Sequence, residues 1–218
     1  MIWRNDHLKH DWFHRPLPEN IELGQNVYIE SSYVFAAFFS ELHPGLVMGE
    51  GSGAYGLSSL GTGAGGRIQV GAYTCLNSTS LIADAIITIG AHCLFAWGAV
   101  VTDQRIPVSA DAVARRRALL ETASDPVRRL RPVTEPKPVH IGDNVWVGFD
   151  SVITGGVNVG HGAVIGCKTM ITEDVPPYAI VVGNPCRLLR YLQADDGEEA
   201  RSAALREFGL APGLPVIS

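Results

Sequence analysis

The 218-residue chain is long enough for one domain with a small appendage, and its 46% hydrophobic content is sufficient for a buried core. Its formal net charge of −5 at pH 7 argues against nucleic acid as a partner. The charged, histidine-rich N-terminus does not resemble a signal peptide, and no uncharged apolar run approaches the ~18 residues that span a bilayer. We therefore expect a soluble, cytoplasmic protein that binds no membrane.

Aliphatic residues recur at intervals of six in the first half of the chain. Self-similarity at this period is typical of a parallel β-helix, whereas period six does not keep one face of an α-helix buried. The pattern is weak before residue 68, clearer after it, and resumes after one inserted residue at position 89; its positions are Leu23, Ile29, Val70, Leu76, Ile82, Ile89, Phe95 and Val101.

The six-residue phase is interrupted at residues 104–138. This insert holds eight of the 17 basic residues and four acidic ones, a local balance of +4 that leaves −9 for the rest. We predict a helix over residues 110–123, capped by Ser109 and with Asp111 in its first turn. The arginines of the insert have two open interpretations: they attract a phosphorylated or nucleotide-linked sugar, or they pair with the acidic body of a neighbouring subunit.

The clearest repeat begins at residue 141 and reads IGDNVW VGFDSV ITGGVN VGHGAV IGCKTM ITEDVP. Each hexapeptide is expected to form a short strand and a bend, so that three make one triangular coil. The first residue of each points inward, and adjacent coils lie about 4.8 Å apart. These inward positions are Ile141, Val147, Ile153, Val159, Ile165 and Ile171. The repeat predicts an all-β parallel β-helix.

The last 25 or so residues have a different character. Residues 194–210 read as an amphipathic helix that caps the open end of the coils. We therefore divide the chain into a β-helix domain, residues 1–192, with a helical insert at 104–138, and a C-terminal helical tail, residues 193–218. The four cysteines form no closely spaced pair, and we expect no metal site.

Residues 138–190, PVHIGDNVWVGFDSVITGGVNVGHGAVIGCKTMITEDVPPYAIVVGNPCRLLR, resemble the C-terminal half of the hexapeptide-repeat acyltransferases. That superfamily includes the galactoside, maltose and virginiamycin-type acetyltransferases. The resemblance implies a left-handed β-helix, a homotrimer with sites between neighbouring subunits, and acetyl-CoA as co-substrate. It also implies transfer of an acetyl group to a hydroxyl or amine of a small molecule, such as a sugar or a nucleotide-sugar.

The same resemblance implies roles for individual residues. Trp146 corresponds to an aromatic residue near the thioester, and Asn77 to an amide that orients the acceptor. Contacts to CoA, including its pantetheine and adenine portions, correspond to Gly148, Gly166, Cys167 and Thr172. Cations near the CoA phosphates correspond to Arg187 and Arg190. Guanidinium groups suit phosphate oxygens. Alternatively, Trp146 is an outward aromatic at the trimer face and Arg187 caps the last coil. Glu173 replaces a lysine of the family pattern, which leaves Lys168 as a nearby cation.

The family's catalytic histidine is missing from its expected position. Acyl transfer needs a base that removes the acceptor's proton, and in relatives a histidine after the middle coils does this. Here that position falls at Ile106 or Pro107. The candidates are His43, on an irregular segment, and Asp103, if burial raises its pKa; their alternatives are a solvent-exposed loop histidine and a turn-forming aspartate.

Two other functions stay open from the sequence. A trimer without a catalytic histidine is consistent with binding CoA or another ligand without turnover. The γ-class carbonic anhydrases share this fold and bind zinc with three histidines between subunits, but no three histidines here have that family's spacing. Fold alone does not decide between these functions.

Overall fold

The computed structural model describes Leu8 and residues 11–104, 111–121, 123 and 135–192. Short strands follow one another in coils. Coils 1 to 3 consist of β1 (Ile21–Leu23), β2 (Tyr28–Ile29) and a 3-10 helix (Ser32–Phe35); β3 (Leu46–Met48), β4 (Gly53–Tyr55) and β5 (Ser59–Thr62); β6 (Arg67–Val70), β7 (Cys75–Asn77) and β8 (Ser80–Ala83). Coils 4 to 6 consist of β9 (Ile86–Ile89), β10 (Leu94–Phe95) and β11 (Val100–Thr102); β12 (Val139–Ile141), β13 (Trp146–Val147) and β14 (Val152–Ile153); β15 (Asn158–Val159), β16 (Val164–Ile165) and β17 (Met170–Ile171).

Equivalent strands of successive coils pair in parallel and form three faces. The first face has the order β1-β3-β6-β9-β12-β15, and the third has β5-β8-β11-β14-β17. The second face runs β2-β4-β7-β10-β13-β16 and continues into β18 (Ala179–Val182) and β19 (Arg187–Tyr191), which form an antiparallel hairpin. Three parallel sheets around one axis make a β-helix of about six turns, which confirms the predicted fold class.

The core is a stack of aliphatic side chains inside the three faces. All six inward positions predicted from residue 141 onward are at most 3% exposed. On the second face, Leu76, Phe95, Val147, Ile165 and Val181 pair strand to strand, and none is more than 4% exposed. Burying a side chain of this size stabilises the fold by about 1.5–3 kcal/mol. The repeat therefore places one such contribution on every face of coils 4 to 6.

One predicted inward position is wrong by a single residue. Leu81, not Ile82, lies opposite Val101 and is completely buried, while Ile82 is half-buried on the outside of the third face. The chain takes only five residues from one inward position, Leu76, to the next, Leu81. Because side chains alternate between the two sides of a strand, this shift turns Ile82 outward.

The described part of the insert contains one helix, α1 (Ala112–Glu121). The Oδ1 atom of Asp111 accepts hydrogen bonds from the N–H groups of Val113 and Ala114 at 3.0 and 2.9 Å, so Asp111 is the N-cap and does not belong to the first turn. Ser109, which the sequence predicted as the cap, lies outside the described residues, as does the tail 193–218. No described side chain of α1 is buried. Among the described residues, no helix has the length and apolar character needed to cross a bilayer.

Candidate functional site

Two columns of outward-facing residues run along the second face, parallel to the helix axis. They follow from the strand register, because the residues on either side of each inward one point outward. The first column is formed by Cys75, Leu94, Trp146, Val164 and Ile180, which pair strand to strand. The second column lies two residues further along each strand and contains Asn77, Ala96, Gly148, Gly166 and Val182. We call these two columns the strip.

The middle of the strip is lined by very small residues. Ala96 is 5% exposed, and the next two positions of its column are Gly148 and Gly166. A Cβ atom on Gly148 would lie 2.6 Å from the backbone nitrogen of Cys167, and one on Gly166 would lie 2.7 Å from Cγ1 of Val182. Neither position has room for a side chain. The strip therefore has a flat floor over coils 4 to 6.

Exposed apolar side chains flank this floor. Leu94 and Trp146, in the first column, are 46% and 48% exposed. On the other side, Trp97 and Phe149 directly follow Ala96 and Gly148, and their rings stack with centroids 5.7 Å apart and an interplanar angle of 11°. Large apolar surface exposed in one place is typical of a binding surface. The strip is thus suited to a long, largely uncharged ligand lying parallel to the axis.

Two arginines lie at the C-terminal end of the strip. In the β18–β19 hairpin, Arg190 pairs with Ile180 and Arg187 pairs with Val182. Residues directly opposite each other in an antiparallel pair project to the same side, so the two arginines continue the two columns. Both are exposed. From Trp146 to Arg190 there are three strand spacings, or about 14 Å.

The N-terminal end of the strip carries an oriented amide. Nδ2 of Asn77 donates to the carbonyl oxygen of Phe95 at 2.9 Å, and Oδ1 lies 3.6 Å from Sγ of Cys75. The hydrogen bond to the carbonyl oxygen of Phe95 fixes the orientation of the amide, so that Oδ1 lies on the side of the first column. Asn77 is therefore placed as an acceptor of hydrogen bonds at the end opposite the arginines.

The bend after the strip carries Cys167, which is exposed and follows Gly166 as Trp97 follows Ala96. The next residue, Lys168, forms a 2.9 Å ion pair with Asp150, and both side chains are exposed. The hydrogen bond to Asp150 and the charge of that carboxylate raise the pKa of Lys168. This lysine is thus paired with Asp150.

Two further residues that the sequence pointed to lie away from the strip. Thr172 follows β17 on the third face and is exposed. His43 lies on the irregular segment before β3 and is also exposed. Within one chain, neither residue is brought beside Trp146 by the fold.

Asp103 has a structural position. Its Oδ1 accepts a hydrogen bond from the N–H of Asp84 at 2.8 Å, and its Oδ2 accepts one from the N–H of Ala85 at 2.7 Å. The residue has no exposed surface. Burial raises the pKa of Asp103, although the hydrogen bonds from the two backbone N–H groups oppose that change. A base must reach its substrate, and this carboxylate instead holds the bend of the preceding coil.

The stacked pair of Trp97 and Phe149 is a feature that the sequence predictions missed. Its signal is present in the repeat, where FAWG and VGFD place an aromatic residue directly after the small residue of the second column. The two residues are 52 positions apart in sequence, and their rings meet because they lie at equivalent positions of adjacent coils. Within the described parts of the chain, no three His, Cys, Asp or Glu side chains are grouped closely enough to hold a metal ion.

Comparison with known proteins places these features in context. No family model matches the chain. A chloramphenicol acetyltransferase of Agrobacterium fabrum is 50% identical over 56 residues, which are 26% of this chain and 27% of that protein. A chloramphenicol acetyltransferase of Klebsiella aerogenes is 45% identical over 56 residues, with the same 26% and 27% coverage. The chain therefore matches about a quarter of the length of these curated relatives.

Solved structures are similar over most of the chain. AntD, an N-acyltransferase from Bacillus cereus in complex with dTDP and 3-hydroxybutyryl-CoA, has a TM-score of 0.55 at 18% identity and covers 87% of this chain and 81% of its own. The hexapeptide-repeat-containing acetyltransferase VCA0836 from Vibrio cholerae has a TM-score of 0.48 at 26% identity, with coverage of 79% and 74%. The chain thus shares its fold with AntD, and acetyltransferases match a quarter of its sequence. The predicted resemblance to the hexapeptide-repeat acyltransferases is confirmed.

Proposed function

We propose that this protein transfers an acetyl group from acetyl-CoA to a hydroxyl or amine of a small-molecule acceptor. The observation that carries the proposal is the strip, in which exposed aromatic rings flank a floor of alanine and glycine that leads to Arg187 and Arg190. The pantetheine arm of CoA is a long chain with few charges, and its nucleotide end carries phosphates. Guanidinium groups bind phosphate oxygens through paired hydrogen bonds. The strip therefore matches the distribution of charge along the CoA molecule.

The comparisons support the same reaction type. The relatives that match the chain at 45–50% identity are chloramphenicol acetyltransferases. AntD, which has a similar fold, is an N-acyltransferase in complex with an acyl-CoA. Because the sequence match covers about a quarter of those relatives, the acceptor is not transferred from them to this protein.

The reaction joins acceptor and acyl group in one balanced step. The oxygen or nitrogen of the acceptor attacks the thioester carbonyl carbon, its proton passes to a base, and the carbon–sulfur bond breaks. The CoA thiolate then takes up that proton from the base, which is thereby restored, and leaves as the free thiol. The residues of the strip contribute by holding the thioester close to the acceptor, which lowers the entropic part of the barrier.

We assign the base to His43 of a neighbouring protomer in a homotrimer. His43 is exposed on a bend away from the strip of its own chain, so it meets a thioester only across a subunit boundary. The exposed apolar residues that flank the strip supply hydrophobic surface for contact between protomers. His43→Ala is expected to lower kcat by about 10²–10⁴-fold, the usual contribution of a general base, with the Kd for CoA unchanged. The exposed His140, on β12, provides the control variant.

The proposed function is tested by measuring CoA binding and thiol release separately. Isothermal titration with CoA should show saturable binding, and the double variant Arg187→Ala/Arg190→Ala should weaken it about 10-fold or more, because two charge-assisted contacts are lost. The charge-matched control is Arg115→Ala/Arg116→Ala on α1, which should bind CoA as the wild type does.

Thiol release from acetyl-CoA is then followed with a panel of sugars and amines. Acceptor-dependent release supports an acetyltransferase. Binding of CoA without release for any acceptor favours the alternative, a trimer that binds CoA without turnover. Failure to bind CoA at millimolar concentration contradicts both functions.

A further inference from the structure

A pair of stacked tyrosines extends the strip beyond Asn77. Tyr28 and Tyr55 lie on β2 and β4 of the second face, and their rings stack with centroids 4.8 Å apart and an interplanar angle of 20°. Tyr55 belongs to the same column as Asn77, its partner in the next coil. Its ring folds back over Gly53, where a Cβ atom would lie 2.7 Å from Cζ. Glycine at position 53 therefore makes room for the ring, and Tyr55 presents one surface to solvent.

The tyrosine pair lies at the acceptor end of the proposed site. Tyr55 is two strand spacings, about 10 Å, from Ala96, on the side away from Arg187 and Arg190. If the CoA phosphates lie at the arginines and the pantetheine arm follows the floor of the strip, the next surface beyond the thioester is the one formed by Asn77 and Tyr55. This placement rests on the proposed function.

Hydrogen-bonding groups surround the ring surface. The hydroxyl of Tyr28 donates to Oε2 of Glu30 at 3.0 Å, and Glu30 is half-buried. Burial, the hydrogen bond to Glu30 and the negative charge of Glu30 all raise the pKa of Tyr28, which keeps this phenol protonated. Oδ1 of Asn77 and the carboxylate of Glu30 are both hydrogen-bond acceptors. They are suited to the O–H or N–H groups of a ligand that stacks on Tyr55.

The two ends of the strip differ in charge. Between Arg15 and Arg67 the sequence has five glutamates and no lysine or arginine. The strands β2, β4 and β7, which carry the tyrosine pair and Asn77, contain no basic residue. The faces of aromatic rings are also negative, because of the ring quadrupole. An anionic group brought to the tyrosine pair meets the carboxylate of Glu30, whereas the opposite end of the strip carries two guanidinium groups.

We propose that Tyr28, Tyr55, Glu30 and Asn77 form the acceptor subsite, and that they select an uncharged or amino-bearing hydroxylated ring over its phosphorylated form. The ring lies on Tyr55, its hydroxyl or amine groups donate to Glu30 and Asn77, and the group to be acetylated points toward Ala96. A phosphate there would lie near the carboxylate of Glu30, and β2, β4 and β7 carry no basic residue to neutralise it. This selects against the phosphorylated or nucleotide-linked acceptors that the arginines of the insert suggested.

The test compares matched acceptors in the full-length protein. Initial rates of thiol release from acetyl-CoA are measured with glucosamine and glucosamine 6-phosphate, and with galactose and galactose 6-phosphate. We expect kcat/KM to be at least about 10-fold higher for the unphosphorylated member of a pair. Glu30→Gln should narrow that ratio, and Glu22→Gln, which changes an exposed glutamate of the first face, should leave it as in the wild type.

The role of the ring is tested at Tyr55. Tyr55→Ala should lower kcat/KM for the acceptor about 10–100-fold and leave the KM for acetyl-CoA unchanged, and Tyr55→Phe should recover most of the loss because the ring is kept. CoA affinity measured by titration shows that each variant is folded.

Three results overturn the inference while leaving the proposed function intact. These are equal or higher kcat/KM for the phosphorylated acceptors, unchanged acceptor kinetics in Tyr55→Ala, and turnover of none of the neutral acceptors by protein that binds acetyl-CoA. Failure of the wild type to bind CoA at all overturns the proposed function, and the subsite with it.

Discussion

Replacing Asp103 separates a structural carboxylate from a catalytic one. Its two oxygens accept the N–H groups of Asp84 and Ala85 at 2.8 and 2.7 Å, and it has no exposed surface. Asp103→Ala leaves both buried N–H groups without an acceptor. We expect the variant to lose stability and, at a temperature where it stays folded, to keep its rate of acetyl transfer.

The size of the loss follows from these two bonds. Each buried N–H group left unpaired costs about 1–3 kcal/mol, and removing a buried charge offsets part of that cost. We therefore expect the free energy of unfolding to fall by about 2–4 kcal/mol. For a chain of this length, each kcal/mol shifts Tm by about 3 °C, so the expected decrease is about 6–12 °C.

The assay combines thermal unfolding, followed by circular dichroism, with thiol release at 20 °C. The control is Asp174→Ala, because Asp174 also accepts a backbone N–H group, from Asn158 at 2.7 Å, but is exposed; its loss should stay below about 1 kcal/mol. A variant of Asp103 that keeps the wild-type Tm but no longer releases thiol would refute the structural role and restore Asp103 as the base.

The pH dependence of stability gives a second readout of the same carboxylate. Because burial raises the pKa of Asp103, the folded state binds its proton more tightly than the unfolded state does. Its contribution to stability is complete below about pH 4, the ordinary pKa of the group, and declines as the pH rises through the raised value. Asp103→Asn, which does not titrate, should remove that part of the decline in urea titrations at successive pH values.

Three further predictions follow from the strip and the core. Trp97→Ala should raise the Kd for CoA about 10-fold in calorimetry, because it removes one wall of the strip, whereas Trp12→Ala, which changes another exposed tryptophan, should not. Gly148→Ala should lower the free energy of unfolding by about 1–3 kcal/mol in urea, because its Cβ meets backbone of the next coil; Gly65→Ala, whose Cβ has no neighbour within 3.5 Å, should be neutral. Burial raises the pKa of Cys93 to about 12, so iodoacetamide at pH 8 should modify it in urea and not in the folded protein, as read by mass spectrometry of its peptide.

The β-helix was predictable because the sequence pattern that specifies it extends over only six residues. Each hexapeptide forms one strand and one bend, and its first residue is an aliphatic one that points inward. The six such positions from Ile141 to Ile171 are all buried as predicted. The error at Ile82 arose because the repeat was identified from aliphatic residues alone, and Leu81 and Ile82 are both aliphatic. Only the pairing with Val101 determines which of the two points inward.

The candidate site was predictable only in part. Trp146, Gly148, Gly166, Arg187 and Arg190 were named from motifs close together in sequence, and the register aligns them on one face. His43 and Thr172 lie elsewhere in the same chain, because a motif does not say which of the three faces its residue occupies.

The sequence by itself determined the six-residue period, and with it the coil, the inward stack of aliphatic residues and the small residues of the final coils. These features depend on contacts within one hexapeptide and between equivalent positions of adjacent coils. Only the tertiary structure decided what comes together along the axis. Trp97 meets Phe149 across the insert, Tyr28 meets Tyr55 across a whole coil, and Asp103 binds the bend of the coil before it. These contacts join residues 18 to 52 positions apart, and their distances are set by the stacking of coils at about 4.8 Å rather than by the chain that connects them.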